Sequence, residues 1–289
     1  MQSDHWQPNE IRRFVQGFPT SARTALVETD IGFGYLKAMG GPEGPQTLAS
    51  EVVATQLGAW FGLSIFDWAI IRVDDVDEIP FWDKDRKQIG QASPGPAFIT
   101  RKEDGSPWGG GDRELRLLAN PQDISRLVVF DTWVLNCDRH SEPKDPLGHC
   151  RKPNRDNVFL STEAPAGQFV LKAMDHTHCF MCGQEWTRKL GHVDIIKDRR
   201  VFGRFPEFSD FLDRAAVRQA ATDLRLIKRD VVRDFAQSIP KEWDVKREAL
   251  DALVDLVVGR ASFVAETIEG RLWPQRNLFG ENEEGSPES

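Results

Sequence analysis

Gln122-Asp123-Ile124-Ser125-Arg126-Leu127-Val128-Val129-Phe130-Asp131-Thr132-Trp133-Val134-Leu135-Asn136-Cys137-Asp138-Arg139-His140 is the stretch from which the rest of the chain is read. Ile124, Leu127, Val128, Phe130, Val134 and Leu135 recur at helical spacing, and Asp123 suits the positive end of a helix dipole. The spacing predicts a helix over 122–137. Asp138, Arg139 and His140 follow it without a linker, so a buried helix delivers three polar side chains to one fixed point. A long polar, proline-bearing stretch then runs to Asp156.

Downstream, Val158–Ser161 and Gln168–Met174 flank Ala164-Pro165-Ala166-Gly167 and read as a β-hairpin. Asn157 opens its first strand and Asp175 follows its second. The remaining sequence is helical: Phe208–Phe211, Ala215–Ile227, Val231–Ile239 and a long helix over Lys246–Leu272. Upstream, the pattern changes to short strands around one helix. Phe14–Gly17, Ala25–Glu28 and Phe33–Met39 read as strands, the last two joined by the turn Thr29-Asp30-Ile31-Gly32. Thr47–Phe61 reads as a helix capped by Thr47 and Gly62. Asp67–Val73 and Pro96–Arg101 read as strands, Asp74–Arg86 as an acidic loop and Pro107–Gly111 as a Gly-rich loop.

The chain has 289 residues, 40% hydrophobic and 28% charged, an ordinary globular balance that excludes a disordered, collagenous or coiled-coil protein. Net charge is −8, and the four glutamates of Gly280–Ser289 carry half of it. Without a basic face, no direct nucleic-acid partner is expected. Met1–Glu10 has no apolar core of a secretory signal, and no apolar run is long enough to span a bilayer, so a cytoplasmic protein without a membrane partner is expected. The four cysteines then read as reduced thiols or metal ligands.

Lys37 in its apolar strand, Asp138 after the helix, Asn157 at the hairpin's start and Asp175 at its end are polar residues placed where elements terminate. Phosphoryl transfer from ATP needs such a set. A lysine neutralises phosphate charge, an acid and an amide hold Mg²⁺, and a second acid orients and deprotonates the attacking hydroxyl. Positioning and charge neutralisation carry most of that chemistry.

Three pieces resemble the HipA-like kinases, whose fold is distantly related to the phosphatidylinositol and eukaryotic protein kinases. They are Tyr35-Leu36-Lys37-Ala38 with Thr47-Leu48-Ala49-Ser50-Glu51-Val52-Val53-Ala54; Phe130 through His140; and Leu171-Lys172-Ala173-Met174-Asp175-His176. The resemblance spans residues 14 to 272 and implies an α+β bilobal protein-kinase-like fold. A small antiparallel N-lobe with one helix would cover residues 1–102, a mostly helical C-lobe 103–273, and an acidic disordered tail 274–289. It implies Lys37 as the phosphate-binding lysine, Glu51 as its helix partner, Asp138 as catalytic base and Asp175 as a metal ligand. It implies Ala97–Arg101, hence Phe98, Ile99, Thr100 and Arg101, as the hinge holding adenine through backbone groups. Gly17–Arg23 would cover the phosphates, with Ser21 or Thr20 above them, and in HipA-like toxins phosphorylation of a loop serine controls activity.

Two departures stand out. The metal-binding Asn of the family falls five residues after the catalytic Asp, where this chain has Pro143. Asn157, nineteen residues on and followed by an apolar strand, is the best candidate, with Asn154 the weaker one. That spacing implies a 14-residue insertion in the catalytic loop. The phosphate loop also has only Gly17 in place of a Gly-rich run.

Taken singly, each residue has a plainer reading. Lys37 suits a snorkelling strand lysine, Asp138 a helix stop, Asp175 a turn and Glu51 a solvated helix surface. Their ordered combination favours the kinase. Arg139 and His140 read as loop orienters. Cys179-Phe180-Met181-Cys182 has zinc-ligand spacing, and His149 and Cys150 offer a second half, so a structural Zn²⁺ on His149, Cys150, Cys179 and Cys182 is a further expectation. The expected activity is ATP- and Mg²⁺-dependent phosphorylation of a protein Ser or Thr hydroxyl, in a toxin–antitoxin or defence setting with an antitoxin partner. A nucleotide-binding pseudokinase or partner-binding module, or a small-molecule or lipid kinase, is the alternative.

Overall fold

A computed structural model describes residues 6–140, 153–182 and 185–274, with the side chains of Met181 and Cys182 outside that description. Strands β1 (Ile11–Gly17), β2 (Ala25–Thr29) and β3 (Gly32–Lys37) lead to helix α1 (Gln46–Trp60). Strands β4 (Trp68–Val73), β5 (Pro80–Trp82), β6 (Gln88–Gln91), β7 (Gly95–Arg101) and β8 (Gly105–Pro107) follow. Then come α2 (Asp112–Leu115), α3 (Gln122–Val134), β9 (Val158–Ser161), β10 (Val170–Ala173) and α4 (Cys179–Cys182). Helices α5 (Val193–Ile196), α6 (Arg214–Leu224), α7 (Arg229–Gln237) and α8 (Arg247–Leu272) complete the chain.

The expected α+β bilobal fold is the observed one. The N-lobe is an antiparallel five-stranded sheet ordered β1-β2-β3-β7-β4, and the C-lobe is helical with a small sheet ordered β10-β9-β8. The three residues Lys102–Asp104 join the two sheets. Glu103 in that connector is buried and accepts from both Lys172 Nζ, at 2.5 Å, and Ser161 Oγ, at 3.0 Å. The connector is therefore anchored to the C-lobe sheet by charge-assisted bonds.

Two hydrophobic clusters divide the interior. One lies within the N-lobe sheet and includes Trp6, Val27, Leu36, Ile71, Phe81 and Ile99. The other runs from α1 through α3 into α8. Helix α1 thus lies between two strands of the sheet in sequence but packs in the core of the helical lobe. Val52, Val53, Ala54 and Leu57 are fully buried, and Phe61, just past the helix, lies 6.2 Å from the Phe130 ring and 5.8 Å from that of Trp133. Its burial on nearly all sides explains why Glu51, expected at a solvated surface, is only 2% exposed.

Helix α3 stops before the predicted end. Leu135 takes a left-handed conformation, φ 55°, without being glycine, and Asn136 N donates back to Asp131 O at 2.9 Å. The terminal carbonyls are met by a side chain from another helix: Arg260 donates to Thr132 O and, at 3.0 Å, to Trp133 O. The chain leaves the helix with a sharp turn that sends 136–140 under the cleft.

Three strands escaped the sequence pattern. β5 and β6 form a hairpin in the stretch read as an acidic loop and its continuation, and β8 forms only by pairing with β9. The acidic tail expected over 274–289 lies, from residue 275 on, outside the described residues. Among the described residues no helix is long and apolar enough to cross a membrane.

Candidate active site

The run Asp131–His140 is buried at every residue except Asp138, which is half-exposed. A charged side chain that alone reaches solvent from a buried segment is held there by its neighbours. Asp138 Oδ2 accepts from Asn157 Nδ2 at 2.8 Å and from Asn154 Nδ2 at 2.9 Å. Both candidates for the displaced amide therefore meet the same carboxylate, across the long insertion.

Asn157 and Asp175 are brought together by the hairpin. β9 pairs with β10 with Val158 opposite Ala173, and Met174 N donates to Asn157 O at 3.3 Å. Asp175 follows in a left-handed conformation, φ 59°, and such strain in a non-glycine residue is kept where the surroundings impose it. Here the surroundings are ionic. Lys37 Nζ donates to Asp175 Oδ1 at 3.0 Å and to Glu51 Oε1, and Thr177 Oγ1 donates to Asp175 Oδ1 at 2.7 Å. Glu51 Oε2 accepts from His176 N at 2.8 Å. Glu51 thus links the N-lobe lysine to the backbone of the loop that carries Asp175.

Burial disfavours the ammonium of Lys37, but Asp175 and Glu51 outweigh it and hold the lysine above its ordinary range. Burial likewise opposes ionisation of Asp175, and the Lys37 ammonium with the Thr177 hydroxyl reverses that, so the carboxyl is held below the usual carboxylate range. Burial pushes Glu51 up, against the pull of Lys37. Lys37 and Asp175 are the pair kept charged.

Beneath this layer Arg139 is fully buried. Its Nε donates to Asp131 Oδ2 at 2.8 Å, and its Nη1 to Asn157 O at 2.5 Å and to Met174 O at 3.2 Å. One guanidinium thus ties α3 to the residues at both ends of the hairpin, consistent with an orienting role. Burial raises the Asp131 carboxyl to about 6 despite the neighbouring Arg139.

Asn157 and Asp175 offer an amide oxygen and a carboxylate at adjacent strand ends, a hard-oxygen set that suits Mg²⁺. With its nitrogen committed to Asp138, Asn157 presents its oxygen as the remaining donor atom. Asp175 keeps Oδ2 clear of the bonds from Lys37 and Thr177, which both fall on Oδ1.

Ser21 lies in the exposed turn between β1 and β2, and its hydroxyl helps hold down the carboxyl of Glu43, which sits 3.3 Å from His178 Nε2. The turn is thereby tethered toward the Asp175 loop. Gly17 is fixed by packing, since a Cβ there would lie 2.2 Å from Trp82 Cδ1.

The adenine hinge needs correction. β7 has β3 on one side and β4 on the other, so the backbone groups of Phe98, Ile99 and Thr100 are committed to the sheet. Arg101 N is likewise bonded to Asp67 O at 2.8 Å. An apolar run of this length is a central strand, and the exit toward the C-lobe begins only at Lys102.

The zinc set also gains no support. His149 and Cys150, and the side chain of Cys182, lie outside the described residues. Cys179 is buried, which with the Asp131 carboxylate pushes its thiol well above the ordinary value. No group of three metal-ligating side chains occurs among the described residues. Cys137 is disulfide-bonded, contrary to the expectation of reduced thiols, because a count of cysteines says nothing of which sulfurs the fold brings together.

Sequence reasoning missed the roles of Thr177, Glu43 and His178, and the approach of Asn154 to Asp138. Only the closeness of Thr177 and His178 to Asp175 in the chain could have flagged any of them.

Comparison with known proteins agrees with this geometry. The crystal structure of a Helicobacter pylori proinflammatory kinase, CtkA, superposes with a TM-score of 0.56 over 92% of this chain and 98% of that one, at 11% identity, a likeness of fold. No curated protein matches the sequence. A family model described as HipA-like kinase matches residues 33–269, from the strand that carries Lys37 to the end of the last helix, and the chain belongs to that family.

Proposed function

We propose that this kinase transfers the γ-phosphoryl group of ATP to a Ser or Thr hydroxyl of a protein in the cytoplasm, with Mg²⁺ as cofactor. The observation that carries the reading is the Lys37–Glu51–Asp175 cluster facing Asp138 and Asn157 across the loops at the ends of α3, β9 and β10. Mg²⁺ held by Asn157 and Asp175 would neutralise charge on the phosphates. Lys37, fixed by Glu51, binds the phosphate oxygens of the nucleotide. Asp138 orients the acceptor hydroxyl and takes its proton as the new P–O bond forms and ADP leaves. In place of β7, the backbone of Glu103 in the connector is the segment offered to adenine, since Lys102 N and Asp104 O are bonded to Phe33 O and Thr162 N. The turn carrying Ser21 covers the phosphates, and Ser21 is the first position to examine for autophosphorylation.

A protein acceptor and a restraining antitoxin-like partner rest on family membership alone. Incubation with labelled ATP and Mg²⁺, followed by mass spectrometry of the chain and of co-purifying proteins, tests both. Transfer that vanishes in Asp138→Asn supports the reading; a general base typically contributes about 10²–10⁴-fold. Nucleotide binding without transfer by the wild type would favour the pseudokinase, and transfer only to metabolites or lipids a small-molecule kinase.

A further inference from the structure

The long segment between Asp138 and Asn157 re-enters the site at Asn154, and that residue is held more firmly than a loop exit requires. Its N–H donates to Arg139 O at 2.9 Å, and its own carbonyl accepts from Asn157 N at 3.4 Å. Its side chain donates to Asp138 Oδ2 at 2.9 Å, beside the 2.8 Å bond from Asn157. Two amides converge on one oxygen of the only residue in its buried run that reaches solvent.

A carboxylate rotates about its last torsion with little resistance, since that torsion is broad. One donor to Oδ2 fixes a distance. Two donors anchored at different backbone positions fix the plane as well, and they leave Oδ1 as the oxygen turned to the acceptor. We propose that Asn154 is a positioning residue for phosphoryl transfer, orienting Asp138 so that Oδ1 receives the acceptor proton, and that the metal falls instead to Asn157, whose backbone carbonyl accepts from Met174 N beside Asp175. The inference rests on Asp138 being the base. In the step it serves, the hydroxyl proton passes to Oδ1, the hydroxyl oxygen bonds to the γ-phosphorus, and the bond from that phosphorus to the ADP oxygen breaks.

The test compares Asn154→Ala, Asn154→Asp and Asn157→Ala in the full chain with ATP, Mg²⁺ and the acceptor or the autophosphorylation reaction as readout. Asn154→Ala is expected to lower kcat about tenfold or more, the scale of one hydrogen bond to a charged group, with KM for ATP and the Mg²⁺ requirement unchanged. Asn154→Asp keeps the size of the side chain but replaces the N–H donor with an oxygen facing Asp138, so it should be worse than alanine. A purely structural role predicts the reverse order. Asn157→Ala should raise the Mg²⁺ concentration needed.

An Asn154→Asp protein as active as wild type, or Asn154 variants that raise the Mg²⁺ requirement as Asn157→Ala does, would overturn the proposal. Failure of the base itself is separable: activity surviving in Asp138→Asn removes that reading whatever Asn154 does. A crystal structure of Asn154→Ala gives a readout independent of turnover. A rotated Asp138 carboxylate is expected, and one left in place overturns the inference.

Discussion

Lys37 and Arg139 are both cations held among carboxylates in the interior, and they are held differently. Arg139 and Asp131 have no exposed side-chain surface, and the guanidinium spends its Nη1 on the backbone at Asn157 and Met174. Lys37 is 11% exposed and Asp175 21%, and they face the cleft. The closed pair is sealed from solvent and bonded through Arg139 Nε and Nη1, with Nη2 buried without a hydrogen-bond partner among the described residues, so no incoming group can reach it. The open cluster has a lysine with two carboxylates and an edge on solvent, so an incoming phosphate can compete for it. Similar charges are structural in one layer and available for chemistry in the layer above, and solvent access with the direction of the remaining hydrogen bonds separates them.

Replacing Arg139 should break the closed layer most severely. Removing one partner of a buried pair leaves the other uncompensated, and Arg139→Met is expected to cost about 3–5 kcal/mol of stability by denaturant unfolding. Lys37→Met should do the opposite: a loss of about 10²–10³-fold in phosphotransfer, comparable to removing a preorganised donor, with a smaller loss of stability because Asp175 and the cleft remain wetted. Equal stability losses in the two variants would erase the distinction.

A milder probe of the closed layer is Gly203→Ala. Gly203 has φ 71°, and a Cβ there would lie 2.2 Å from Asp131 Oδ2. Its N–H also donates to His140 O at 2.7 Å. The residue is glycine because the Asp131 carboxylate occupies the space of a side chain. Strain at such a position is on the order of 1–3 kcal/mol, so a fall in melting temperature is expected, larger than that caused by Ala at the uncrowded Gly167.

What the sequence disclosed follows the same division. The helix of 122–134, the hairpin of β9 and β10 and the positions of Lys37, Asp138 and Asp175 were legible because each sits at the end of a strongly patterned apolar run. Asn157 was legible for the same reason, being followed by Val158-Phe159-Leu160. Glu51 taken alone read as a surface acid, and only the resemblance paired it with Lys37, because α1 has no polar face to reveal its depth; its small polar residues Thr47, Ser50 and Thr55 are buried too. The hinge was displaced because an apolar strand looks the same whether it lies at an edge or between two neighbours. β6 had no apolar signal, all four of its residues being exposed. Glu43 was invisible, and Asn154 was named only as the weaker metal-binding candidate, because their partners come from elsewhere in the chain and no local spacing encodes that meeting.

A third cation–carboxylate pair tests the comparison at its weak end. His178 and Glu43 lie at the rim, with side chains 14% and 23% exposed, and Ser21 of the β1–β2 turn acts on the Glu43 carboxyl from close by. The hydrogen bond that His178 donates to Glu43 raises the histidine above its ordinary value of 6.5, with burial opposing and Asp138, Glu43 and Asp175 adding to the pull. A histidine bound more tightly to its proton when folded adds stability below its unfolded pKa, and that increment is lost as pH rises through the folded value. His178→Gln should therefore destabilise the protein by less than about 1 kcal/mol, as for a partly solvated pair. The gap in melting temperature between variant and wild type should be widest below pH 6.5 and shrink above it. Faster proteolysis within the turn around Ser21 should accompany it at low pH. A gap that stays constant from pH 5.5 to 8.5 would mean that Glu43 holds the turn without help from charge on His178, and the rim pair would then belong with neither of the two buried layers.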